Sequence, residues 1–264
     1  MGKKENLYSR ELISYYMSLG VEKFIFGDNN LLNTEKLSDL LQDYINNNTI
    51  DIIEIYENPI DQAKFYGILY EKYKNKCKWL TFFDFDEYLV VHNEKGENIL
   101  LKEYLYDKCE AIEFNWLIYG DNEFVYYDNR STIKRFTTPN YNINENRFVK
   151  SIIRGNLTKP VFLPNQTYHR PYKEIKLCNS LGEITNYPSF IRHPIYKFAY
   201  LKHFITRTAE EFAEKIKRGR TGNRHRNIEK KIYLFFQYNN FTEEKLKVFE
   251  KKLNRSFGKY HFKK

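Results

Sequence analysis

The stretch KWLTFFDFDE (residues 78–87) decides how this chain is read. Lys78 to Phe83 form the short apolar run expected of a buried strand. Asp84, Phe85, Asp86 and Glu87 follow at once, so three acids in four residues stand at that strand's carboxyl end. Working back toward the N-terminus, the chain alternates. IDIIEIY (50–56) and KFIFG (23–27) read as strands. Residues 8–19 carry a helical apolar period (Leu12, Ile13, Tyr16, Leu19) stopped by Gly20, and residues 34–46 and 60–75 are helical again. Strands and helices alternating at this spacing predict right-handed βαβ units, an α/β class and a mostly parallel central sheet flanked by helices.

Beyond residue 110 the pattern shortens. AIEFNWLIYG (111–120), FVYYDN (124–129), STIKRF (131–136) and FVKSIIR (148–154) read as strands, some antiparallel, and residues 155–198 as irregular connections. Thr208 with Glu211 forms a capping box opening a helix that Gly219 closes. Two more amphipathic helices are predicted over 227–238 and 242–254.

Composition narrows the function. The chain has 264 residues, 43 Lys or Arg against 34 Asp or Glu, and 23 Tyr with 21 Phe. That much apolar and aromatic content excludes disorder of the whole chain. No apolar run reaches the 18 residues of a membrane span, and the charged N-terminus does not read as a secretory signal. Three cysteines without CxxC spacing (Cys77, Cys109, Cys178) argue against a disulfide framework and a structural zinc. The expected location is cytoplasmic. The +9 excess fits an anionic partner, and Lys and Arg crowd residues 215–231. A nucleic-acid binder would need a reading helix or a stacking platform beside those cations, and neither is visible, so no nucleic acid is expected.

A bare DxD is unspecific, but its placement is not. Ligands of open α/β sheets bind beyond the carboxyl ends of strands. Two carboxylates two residues apart at a strand end can hold a hard divalent ion while leaving positions for phosphate oxygens. Three acids so close in a basic chain would repel one another unless a cation sat among them. Haloacid-dehalogenase-type phosphatases also open on a strand and DxD, but continue with Thr or Val two residues after the second Asp; here that residue is Tyr88, and the motif lies late in the strand order. Asp28, Asn29 and Asn30 stand at another strand end. Lys150 and Arg154 could neutralise a phosphate, Trp116 could stack on a sugar, and His203 lies between an apolar strand and a capped helix. Each of these last features is equally ordinary as a turn, a strand face or a packing residue.

Together the segments KKENLYSRELISYYMSLGVEKFIFGDNN (3–30), Gln62, WLTFFDFDEYL (79–89), FNWLIYGDN (114–122), KSIIR (150–154) and KHFITRTAEEFAEKIKRG (202–219) resemble glycosyltransferase family 92 and its bacterial glycosyltransferase-2-like relatives. The resemblance implies a GT-A fold over residues 1–220, with 221–264 a basic helical extension on the same domain. It implies inverting transfer of a hexose from a nucleotide sugar, usually UDP-linked, to a glycan acceptor. Asp84 and Asp86 would be the metal-binding DxD for Mn²⁺ or Mg²⁺, with His203 a late metal or diphosphate ligand. Lys4, Glu5, Asp28, Asn29 and Gln62 fall on the nucleotide side, with Asp84 and Lys150 at the diphosphate. Inversion needs one general base, sought among Asp121, Glu123 and Glu113. By family analogy the acceptor is surface polysaccharide or a lipid-linked saccharide, with peripheral contact at an anionic inner membrane face. In such folds an apolar first strand precedes the KKEN-like segment, whereas only Met1 and Gly2 stand here, which is expected to weaken donor binding. The alternative is a non-catalytic descendant that binds glycan or an anionic surface.

Overall fold

A computed structural model describes residues 2–31, 33–55, 62–158, 161, 174–185, 193–219 and 227–258. By internal contacts the chain forms two compact units: Met1–Trp116 with Asn144–Lys202, and Leu117–Ile143 with His203–Lys264. Two strands, β5 and β8 below, pass from one unit's residues to the other's.

In the first unit the chain runs α1 (Asn6–Ser18), β1 (Phe24–Asp28), α2 (Leu37–Leu40), α3 (Gln42–Asn46), β2 (Ile50–Glu54), α4 (Gln62–Tyr73), β3 (Trp79–Thr81), β4 (Glu87–Val91) and α5 (Leu101–Tyr104). Then come β5 (Ala111–Ile118), α6 (Thr132–Arg135, in the second unit), β6 (Val149–Arg154), β7 (Leu177–Cys178) and β8 (Ala199–His203). The α1 stripe buries Leu12, Ile13 and Tyr16 as its period requires. The single helix expected over 34–46 is two short ones that meet at Leu41, and the β2 and α4 ends expected at 56 and 60 lie outside the described residues. From α4, Phe65, Tyr66, Leu69, Tyr70 and Tyr73 pack as one helical stripe on Leu80, Ala111, Ile153 and Leu177 of the strands. The chain leaving β6 crosses so close to the α4–β3 connection that a Cβ on Gly155 would lie 2.0 Å from the Cys77 carbonyl oxygen.

The sheet is mixed, which corrects the expectation of a mostly parallel one. β1 and β2 pair in parallel as a sheet of two, with Gly2 bridged in parallel to Asp28 on the other edge of β1. The larger sheet has the order β3-β6-β5-β8-β4, with β7 added on β5. β6 runs antiparallel to both β3 and β5. The reason is connectivity: the chain leaves β5 at Ile118 and returns to the neighbouring position at Val149 from that same end, which forces an antiparallel pair. β4 was not expected as a strand. EYLVV is buried at all five positions and shows no alternation. Its outer edge is satisfied by tyrosines of α1: Tyr16 donates to the Glu87 carbonyl (2.9 Å) and Tyr15 to that of Leu89 (2.7 Å).

In the second unit α7 (Ala209–Arg218), α8 (Ile228–Tyr238) and α9 (Glu243–Leu253) share a core in which the Phe235 and Phe249 rings meet at 5.0 Å. The Thr208–Glu211 capping box forms as expected. The two strands expected at 124–136 do not form. Thr132 and Arg135 are buried at i, i+3, a helical spacing, and Arg135 makes a bidentate pair with Glu211 (2.7 and 3.0 Å). The FVYYDN backbone instead caps α7, with the Val125 carbonyl accepting from Glu210 N–H. The described part of the expected 221–264 extension thus folds with residues 117–143 and α7.

Cys109 and Cys178 form a disulfide across 69 residues, both side chains fully buried. One bridge therefore forms although no CxxC spacing announces it. Register explains it: Ile112 stands opposite Cys178 in the β5–β7 pair, so the chain just before β5 passes beside β7. Closing a loop of this length removes unfolded-state entropy, so replacing Cys109 by Ser should cost about 2–5 kcal/mol. Thermal melts of the wild type with and without reductant, and of the variant, check this; identical midpoints in all three would show that the bridge contributes nothing.

Candidate active site

The acidic segment forms the connection between β3 and β4. Glu87 N–H donates to the Asp84 carbonyl (3.1 Å), and Asp84 N–H donates to Glu87 Oε2 (2.8 Å), closing a tight turn. Phe85, between the two aspartates, points the other way. It packs on Phe26 of β1 at 5.3 Å, and a Cβ on Gly2 would lie 2.8 Å from its ring. That contact holds the acidic turn beside the Gly2–Lys4 segment.

The cation required among these acids comes from β6. Antiparallel pairing sets Thr81 opposite Ile152, and Lys150, two residues away on the same face, reaches the turn. Its Nζ lies 2.8 Å from Asp84 Oδ2 and 3.2 Å from Glu87 Oε2, with the side chain 1% exposed. Gln62, at the start of α4, donates to Asp84 Oδ1 (3.1 Å) and to the Tyr66 hydroxyl (2.7 Å). Burial raises the pKa of the Asp84 carboxyl, but Lys150 outweighs burial and holds it below the usual range. For Glu87, wholly buried, burial wins over Lys150 and pushes the pKa to about 8. Burial disfavours the charged Lys150, and its two acidic partners more than compensate, raising its pKa. One ammonium and one retained proton therefore settle the repulsion of three carboxyls.

A metal was expected at Asp84 and Asp86. Among the described residues, no group of three or more His, Cys, Asp or Glu could hold a metal ion. Two hard carboxylates on one turn, Asp84 32% exposed and Asp86 buried at 7%, are the ligand type that a divalent ion takes. Glu87 is enclosed beneath them.

The predicted nucleotide residues gather in the same unit. Asp28 is fully buried, and its oxygens accept from Asn30 N–H and Leu37 N–H, both at 2.8 Å. Both of its oxygens thus shape the turn. Asn29 N–H donates to the Gly2 carbonyl, and Asn30 Oδ1 accepts from Lys4 N–H (2.6 Å). Glu5 is buried at the start of α1. Lys4, Asn6, Arg10, Asn30, Thr34 and Glu35 line a cavity of about 540 Å³, within the range of small-molecule sites.

The candidate bases divide. Glu113 is buried within β5, opposite Ser151. Asp121 and Glu123 lie in the second unit, in a turn where Asn122 and Glu123 both have positive φ (50° and 65°). Lys245 of α9, wholly buried, binds Asp121 Oδ2 (2.7 Å) and Glu123 Oε2 (3.1 Å), and Asn239 Oδ1 accepts from Asp121 N–H (2.6 Å). Burial raises the Asp121 pKa, only partly offset by Lys245. Burial pushes Glu123 the same way, but Asn240 and Lys245 outweigh it and lower its pKa. His203, also of the second unit, is buried at the end of β8 and its carbonyl accepts from Tyr119 N–H (3.1 Å). Sequence reading missed Lys245. Its signal was a lysine four residues before Phe249 on the apolar stripe of its helix.

Glu87 also sets a pH dependence. It binds a proton up to about pH 8 when folded but only to about 4.5 when unfolded, so the folded state holds the extra proton between those values. Its contribution is complete below 4.5 and lost as pH rises through 8. Denaturant titrations at pH 5, 6.5 and 8 should show the wild type losing stability relative to Glu87→Gln as pH rises; a constant difference contradicts the assignment.

No curated protein matches this sequence significantly. A family profile described as Glycosyltransferase family 92 matches residues 1–263. That match runs through the acidic turn, its lysine and the Lys4–Asn30 cavity alike, and the chain belongs to glycosyltransferase family 92.

Proposed function

We propose that this glycosyltransferase moves a hexose from a UDP-linked donor to a glycan acceptor with inversion, using Mn²⁺ or Mg²⁺ at Asp84 and Asp86. The observation that carries the reading is the acidic turn between β3 and β4, with Asp84 and Asp86 just after the end of β3 and Glu87 fully buried beside them. A divalent ion there supplies Lewis-acid stabilisation of the diphosphate leaving group. The chain's own part is to hold the turn: Gln62 and Lys150 fix both oxygens of Asp84, and Phe85 anchors the turn on β1. The Lys4–Asn30 cavity, in the same unit as the turn, is assigned to the nucleoside end of the donor.

Asp121 is proposed as the base. Its raised pKa moves it toward the range where a carboxylate takes a hydroxyl proton well, whereas Glu123 is moved away from it. The acceptor is proposed to be a surface or lipid-linked saccharide. No described helix is long and apolar enough to cross a membrane. For the compartment, the buried disulfide favours an oxidising one over the expected cytoplasmic face.

Transfer and hydrolysis measured over a panel of UDP-sugars with Mn²⁺ test the reading. Asp86→Ala should lower kcat/KM by at least about 100-fold and chelation should abolish turnover. In the same assay Asp121→Asn should lose more in kcat than Glu123→Gln. Turnover indifferent to both chelator and Asp86→Ala would overturn the metal site.

A further inference from the structure

Lys150 occupies an improbable place for a cation. It lies on β6, paired on both edges by β3 and β5, and its side chain is wholly enclosed. A lysine in such a position is retained only with good counter-charges. Here the charge is that of Asp84, one of the two proposed metal carboxylates, 2.8 Å from the ammonium, with the enclosed Glu87 3.2 Å away. The ammonium therefore already stands where a metal ion would draw its attraction. Gln62 takes the other Asp84 oxygen, so both oxygens of that carboxylate have a protein donor before any ligand arrives.

Affinity of oxygen-ligand sites for divalent ions is tuned by the count of ligand charges. A fixed positive charge a few ångströms away subtracts from that count. In a partly buried site one unit of charge at such a distance changes an ion's affinity by at least about tenfold. A nucleoside diphosphate reverses the balance, because it brings negative charge of its own to the same place. We infer that Lys150 is a built-in counter-ion of the acidic turn that withholds Asp84 from a metal arriving alone, so that the divalent ion binds with the diphosphate and not ahead of it. This rests on the metal-dependent donor reading above. Lys150 is a positioning residue, acting through Asp84. It also keeps the turn folded between catalytic cycles, when neither ion nor donor is bound.

The test is Mn²⁺ binding by the whole protein, followed by electron paramagnetic resonance with and without saturating UDP and corrected for Mn²⁺ held by UDP in solution. The wild type should bind Mn²⁺ at least about 100-fold more tightly with UDP than without it. Lys150→Met should bind Mn²⁺ alone at least about tenfold more tightly than the wild type, shrinking the advantage that UDP confers. A purely structural lysine would lower the melting temperature of the variant and leave its Mn²⁺ affinity unchanged or weaker, which overturns the inference. Should Lys150→Met not fold, the wild-type ratio decides by itself: equal Mn²⁺ affinity with and without UDP overturns the inference while leaving the metal site standing. If the wild type binds no Mn²⁺ even with UDP, the metal reading falls and takes the inference with it.

Discussion

An ammonium enclosed in the middle of a sheet must be answered by carboxylates, and the first unit is arranged around the answer to Lys150. β6 carries the lysine, while β3 ends so that Asp84 can reach it and β4 begins with the Glu87 that completes the pair. Gln62 brings the first turn of α4 to the same carboxylate, and Tyr16 ties α1 to the Glu87 carbonyl. Breaking a buried pair by removing one partner typically costs about 3–5 kcal/mol, because the survivor remains unpaired. Few single contacts in a domain are worth as much. The acids of the proposed metal turn are thus also the acids that let the sheet contain a cation.

The second unit repeats the solution. Lys245, wholly buried on α9, binds Asp121 and Glu123 and so holds a turn with two residues in the left-handed region. Arg135, equally enclosed, binds Glu211, which at the same time caps α7 with Thr208. Both pairs fix the turn or helix end on which they sit. The net charge of +9 accordingly says little about partners. Part of the acidic complement is turned inward, and candidate catalytic carboxylates are among the groups so used.

The regular elements were legible where burial leaves a period in the sequence. The stripes of α1, α4 and α7 and the runs of β1, β2 and β6 stand close to their expected places, because each buries one face or lies in a continuous apolar run. β4 was missed because a strand buried on both faces has no alternation. STIKRF misled because its buried residues, Thr132, Arg135 and Phe136, are too few to show the helical period. Strand direction was legible for the parallel β1–β2 unit but not for β3, which pairs antiparallel with β6, since direction depends on which end of the sheet a connection returns to. The same holds for the pairings. Lys150 is 66 residues from Asp84, Lys245 is 124 from Asp121 and Cys178 is 69 from Cys109, and in each case only the register of the fold brings them together. Sequence identified the acids of the site and the need for a cation among them; which cation it is followed from the β3–β6 register.

The central claim is that Lys150 and Asp84 hold each other in the acidic turn. A double-mutant cycle of Lys150→Met and Asp84→Asn, with stability measured by denaturant unfolding in metal-free buffer, tests it most directly. The account predicts a coupling of at least about 1.5 kcal/mol, with the double variant less destabilised than the two single losses together. Additivity within about 0.5 kcal/mol would contradict it.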